Sequence, residues 1–159
     1  MTTIIFETWT RQPSRRDFVA RLAGLHAVTA AGEMQWPLAE NLHQLAAHHD
    51  PDGEAAATSQ VNAWLARTHW RGPQSVTADA SQWQVNELPK RFALARHILL
   101  TQTEQALAML PTVLTDGEIN GEDLQTWPLF DPLRELPAFQ RLLADPPAGP
   151  QPATNQRTA

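Results

Sequence analysis

Residues 89–117 read PKRFALARHILLTQTEQALAMLPTVLTDG. Pro89 suits a helix start, and Phe92, Ala95, Ile98 and Leu99 then recur at helical spacing. Thr101 and Glu104 stand three apart, which predicts a capping box opening a second helix. Leu107, Leu110, Val113 and Leu114 give that helix its inward face. Pro111 lacks an N–H donor, so a kink or restart is expected there. Gly117 marks the stop. The stretch is a pair of amphipathic helices joined by a tight turn, and it sets an all-α expectation for the chain.

Toward the N-terminus the same punctuation recurs. Pro13-Ser14-Arg15-Arg16-Asp17 reads as a helix start, with Ser14 as N-cap. Phe18, Leu22 and Leu25, flanked by Val19 and His26, form an apolar stripe that is expected to face the core, and Gly32 ends the helix. Pro37 opens another, with Leu38, Leu42 and Leu45 on one face. Asp50-Pro51-Asp52-Gly53 is a turn cluster. Ala57, Val61, Trp64, Leu65 and Thr68 continue as a third helix, ending before Gly72-Pro73. Residues 72–88 are ambiguous: Gln74–Thr77 and Trp83–Val85 read as short strands, or as a loop around one helical turn. Thr2–Thr10 reads as a short strand or an extended arm.

Toward the C-terminus, Asn120 caps a short helix ending at Trp127-Pro128. Asp131-Pro132 and Leu136-Pro137 start two more turns, carrying Leu133, Phe139, Leu142 and Leu143. Residues 146–159 hold four prolines and no large apolar side chain, and are read as a disordered tail. With 159 residues, the length suits one domain, placed at 1–145, a compact bundle of five to seven helices. The absence of cysteine excludes disulfides, thiolate metal sites and cysteine nucleophiles. No apolar run approaches the roughly 20 residues of a membrane span. The opening Met1–Glu7 lacks the pattern of a secretory signal, so a cytoplasmic location is expected.

Charge falls in alternating blocks: basic to residue 30, acidic over 31–59, basic over 60–100 and acidic over 101–145. With a pI near 5.6 this pattern suits protein contacts better than a polyanion partner. The basic residues Arg67, Arg71, Lys90, Arg91 and Arg96 still define the surface that a nucleic-acid-contacting subunit would use.

The helical pair resembles a tetratricopeptide-type hairpin, and together with the C-terminal turns the resemblance covers residues 89–143. Ala106, Leu110 and Val113 stand at the small, large and small positions of that family's second helix. Val113 is larger than usual, and the first helix reads Phe92, Ala95 and Leu99 in place of the family's Trp-Leu-Gly-Tyr pattern. Trp127-Pro-Leu-Phe-Asp-Pro-Leu-Arg134 followed by Pro137-Ala-Phe139 looks like the closing turns of some bacterial helical-repeat proteins. The resemblance implies a non-catalytic adaptor or complex subunit working through protein–protein interaction or self-association.

Arg91 and His97 match the Arg-x(4–6)-His spacing of the HEPN ribonuclease superfamily, as do Arg21 and His26. That resemblance implies the alternative function, metal-independent RNA cleavage, with Arg holding phosphate oxygens and His moving a proton. Leu22 and Phe92 stand where a polar residue commonly follows the Arg.

The remaining motifs are structural on their spacing. His43 and His48 lie about 140° apart round a helix, so the His43, His48, His49, Asp50 group does not read as a metal site. Asp116-Gly-Glu118-Ile-Asn120-Gly121 imitates the start of a calcium loop, but its twelfth position is Trp127 rather than Glu. It reads as a turn. No cofactor is expected. Among six tryptophans, Trp64 reads as core, while Trp70, Trp83 and Trp127 fall near loops and helix ends and are the candidate protein-interface residues.

Overall fold

The computed structural model describes residues 13–147. The expected arm at Thr2–Thr10 and the tail from 148 onward lie outside the described residues, as does the Ser14 side chain. Eight α-helices and two 3-10 turns make up the described residues, with no strand among them. The all-α expectation is met. By packing, the chain divides into two compact units between Gln82 and Trp83.

The first unit opens with α1, Pro13–Gly32. Because the helix begins at Pro13, Ser14 lies inside it rather than at its cap. Its end is a Schellman turn: the Gln35 N–H donates to Ala30 O (2.8 Å) and the Met34 N–H to Ala31 O (3.0 Å), with Met34 at φ 57°. Helix α2, Trp36–His49, has a proline in its first turn as expected. Helix α3, Gly53–Arg71, is capped by Asp52, whose side chain accepts from the Glu54 and Ala55 N–H groups. It ends at Gly72, where φ is 83° and a side chain would be strained. Residues 73–82 are then helical, not strands: a 3-10 turn at Pro73–Val76 runs into α4, Thr77–Gln82. Val76 and Ala80 are fully buried while Ala78 between them is exposed, which fits a helical turn and not the extended alternation, where all three would share a face.

Two expected core faces in this unit are reversed. Helix α1 buries Val19, Ala20, Ala23, Ala27 and Ala30 and leaves Phe18, Leu22, Leu25 and Val28 exposed. Helix α2 buries Ala39, Glu40, His43 and Ala46, while Leu38 is exposed and Leu42 and Leu45 are half-buried. The physical reason is close approach. Alanine faces let neighbouring helices draw together along their length, gaining many weak contacts that bulkier side chains would hold apart. Ala30, Ala39 and Ala66 meet at this junction, with Ala31, Trp36 and Leu42 packed against them.

In the second unit α5, Lys90–Leu99, and α6, Thr103–Thr115, pack as an antiparallel hairpin. Lys90 at the start of α5 pairs with Asp116 just past the end of α6 (2.6 Å). The expected Thr101 capping box is not present. Thr101 instead takes a left-handed conformation (φ 57°) closing α5, and Gln102 precedes α6 without a side-chain cap. Helix α6 runs through Pro111 without a restart. Gly117, at φ 73°, turns the chain toward α7, Gly121–Thr126, whose Asn120 and Asp123 form a reciprocal capping box. A 3-10 turn at Pro128–Leu133 and α8, Pro137–Ala144, complete the unit. Its core is large and apolar: Phe92, Leu94, Leu110, Leu124, Leu129, Phe130 and Phe139 are fully buried. No helix among the described residues is long and apolar enough to cross a membrane.

Candidate functional site

The first unit carries two features that its helix packing positions. One is a polar knot between α2, α3 and α4. Glu40 is 5% exposed, and its carboxylate accepts from Arg67 Nε at 2.7 Å and Trp70 Nε1 at 2.9 Å. The Gln44 side-chain amide donates to the same carboxylate at 3.0 Å. Arg67 reaches on to Asp79 Oδ2 at 2.6 Å, so one guanidinium ties three helices together. Burial alone would lower its pKa, but the hydrogen bonds it donates to Glu40 and Asp79, with their negative charge, outweigh that and raise it, keeping the cation fixed. Such a set of mutually compensated charges ties the three helices together.

His43, one turn beyond Glu40, is buried, and its Nδ1 makes no hydrogen bond within the protein. Burial lowers its pKa from 6.5. As pH falls through about 6.5 the unfolded chain takes up a proton here while the native imidazole stays neutral, so stability falls with pH below that point. Thermal melts should therefore show a lower midpoint at about pH 5.5 than at about pH 7.5. His43→Gln should shrink that difference; an unchanged difference would place the effect on other groups.

The second feature is the outer face of α1. Phe18, Leu22, Leu25 and Val28 are 56%, 44%, 66% and 64% exposed, and Met34 and Leu38 continue the apolar surface past the helix end. Exposed apolar residues scattered singly are ordinary, whereas a contiguous run along one helix is not. Sequence reasoning selected these side chains and assigned them to the wrong side. The signal that separates the two faces is the Ala20, Ala23, Ala27, Ala30 series, itself at helical spacing.

The tryptophans fall elsewhere. Trp64 is buried, as expected. Trp70 is 40% exposed, anchored by Glu40, with the Arg71 guanidinium 4.0 Å above its ring. Trp83 is half-buried edge-on to Phe92, and Trp127 half-buried edge-on to Phe130. Trp70 belongs to the first unit and the other two to the second. In the first unit, Trp36 stacks on His69 with ring centroids 4.0 Å apart, closing the α2–α3 junction.

The basic residues are largely engaged. Arg67 is held in the knot, Lys90 by Asp116, and the Arg91 guanidinium lies 4.9 Å from the Phe92 ring. Arg96 is half-buried on α5. Arg91 and His97 are six apart on α5, about 120° round its axis. His97 Nδ1 bonds Gln102 Oε1 at 2.6 Å. On α1, Arg21 pairs with Asp17 at 2.9 Å and His26 is exposed, away from the core-stripe margin read for it.

In the Asp116–Gly121 turn, Asp116 holds Lys90, Glu118 accepts the Arg91 N–H at 2.7 Å, and Asn120 caps α7. Every candidate calcium ligand there has a structural task. His48 and His49 meet edge-on at 4.8 Å in the last turn of α2. Among the described residues no cluster of three His, Asp or Glu side chains is arranged to hold a metal. Comparison with known proteins finds no matching family model, no similar curated protein and no similar solved structure.

Proposed function

We propose that the chain is a non-catalytic helical adaptor or subunit that works through a protein–protein interface on the outer face of α1. The observation that carries this reading is the inversion of that helix: alanines inside, and Phe18, Leu22, Leu25 and Val28 outside. Exposing such side chains to water is unfavourable by roughly 25 cal/mol for each Å² left uncovered, so a surface of this kind is maintained where something covers it. The engaged state of Arg67, Lys90 and Arg91 supports a protein partner over a nucleic acid. The tetratricopeptide-like hairpin of residues 89–143 fits the same role as a second helical scaffold.

Pull-down from the native host tests the reading when wild type is compared with a Leu22→Glu/Leu25→Glu protein. Both positions are exposed, so the variant should keep its helical circular dichroism and its melting midpoint while losing the captured partner. A partner retained by the variant would move the interface off α1.

A further inference from the structure

The outer face of α1 has the spacing of a helix-packing seam. Phe18, Leu22, Leu25, Thr29 and Gly32 fall at alternating intervals of four and three, the seam by which one helix packs along another. Thr29 donates its hydroxyl to Leu25 O at 3.3 Å, which satisfies the polar group within its own helix. We infer that the seam is covered by α1 of a second copy, running antiparallel, so that the chain is a two-fold dimer built on this helix; the inference rests on reading that face as a protein-binding surface.

Three observations favour a second copy in this direction. The first is register. An antiparallel pair centred between Leu22 and Leu25 sets Leu22 of one copy against Leu25 of the other, and Phe18 against Thr29, twice over by symmetry. The second is shape. A shallow cleft of about 260 Å³, lined by Thr29, Leu38 and Leu42 among others, opens where Phe18 of the second copy arrives. The third is charge. Arg15, Arg16 and Arg21 lie in the first half of α1 together with Asp17, which pairs with Arg21, so that half stays net basic, while its second half has no charged residue and Glu33 follows directly. Antiparallel pairing brings the basic half of each copy to the C-terminal, partially negative end of the other and toward its Glu33. Parallel pairing would set the arginines side by side.

The exposed apolar side chains are Phe18, Leu22, Leu25 and Val28 on α1 with Met34 and Leu38, far fewer than the roughly 20–30 residues a side of a standard interface, which places the pair at the small end of specific interfaces. A dimer dissociating in the micromolar range, about 1–50 μM, is expected.

Sedimentation equilibrium of the full chain from about 1 to 200 μM should show a monomer–dimer equilibrium, weakened at least about 100-fold by Leu25→Glu. The chain has no cysteine, so introduced thiols are unique. A mixture of Phe18→Cys and Thr29→Cys proteins should join through a short bismaleimide, whereas Phe18→Cys alone should not. In the antiparallel register two copies of residue 18 lie about 16 Å apart along the axis. A monomer at every concentration overturns the pairing, as does a dimer indifferent to Leu25→Glu or efficient joining of Phe18→Cys to itself. If a chain lacking residues 1–12 dimerises where the full chain is monomeric, the opening segment is the occupant and the pairing also falls. The two readings separate cleanly. A dimer through α1 with no other partner upholds the pairing and removes the adaptor role. A captured partner on a monomeric chain, lost with Leu22→Glu/Leu25→Glu, does the reverse.

Discussion

Arg67→Ala destabilises the first unit by about 3–5 kcal/mol, the range found when one partner of a buried ion pair is removed. The substitution leaves Glu40 buried, its charge stripped of the cation that compensates it. The exposed Asp79 loses little by comparison, since its carboxylate regains water. Urea unfolding followed by tryptophan fluorescence checks this, because Trp70 donates to the same Glu40 carboxylate. The informative control is the double substitution Arg67→Met/Glu40→Leu. It removes both charges, so most of the loss should return, to within about 2 kcal/mol of wild type. A loss below about 1 kcal/mol in Arg67→Ala would show that alanine packing, not the ion pair, holds α2 to α3.

Phe130→Ala in the second unit is expected to cost about 3–5 kcal/mol, by a different route. Its ring is fully buried, edge-on to Trp127 with centroids 5.7 Å apart and tilted against Phe139 at 5.9 Å. Truncation leaves a cavity between two aromatic neighbours that a 3-10 turn and the short helix α8 can only partly collapse around. Phe130→Leu keeps most of the volume and should cost under about 2 kcal/mol. Thermal melts of the three proteins order the effects. Equal losses for Ala and Leu would point to the ring contacts themselves rather than to the lost volume.

Helix existence was legible in the sequence wherever a cap or a breaker stood in plain sight. Asp52 opens α3, Gly72 closes it, and Asn120 caps α7, each as the residues suggest. Gly32 likewise marks the end of α1, although the left-handed position falls two residues on at Met34; the end of α5, where Thr101 holds that position, lacks a glycine to announce it. Which face of α1 and α2 turns inward was not legible by size of side chain. Apolar residues surround α1, and the choice between its alanine and leucine sides belongs to the neighbour it meets. The Glu40–Arg67–Asp79 knot was invisible for a related reason. Its members stand 27 and 12 residues apart and come together only once three helices have packed. Residues 72–88 stayed open between strand and helical turn because Val76 and Thr77 are β-branched; the structure takes the turn over 73–82, with Ala78 exposed between buried Val76 and Ala80, and forms no strand at Trp83–Val85.

The pairing of helices has a consequence for how the chain comes into being. In the first unit α1 packs on α2 and α2 on α3, each against its immediate successor, and in the second α5 packs on α6 in the same manner. Contacts between sequential neighbours close short loops, so little chain entropy is lost before packing compensates it, and folding of such topologies is fast. Synthesis proceeds at only about 5–20 residues per second, far slower than that. The α1–α2–α3 stack and its polar knot are complete by Gln82, so this half can consolidate on the ribosome while the residues of the second half are still being added.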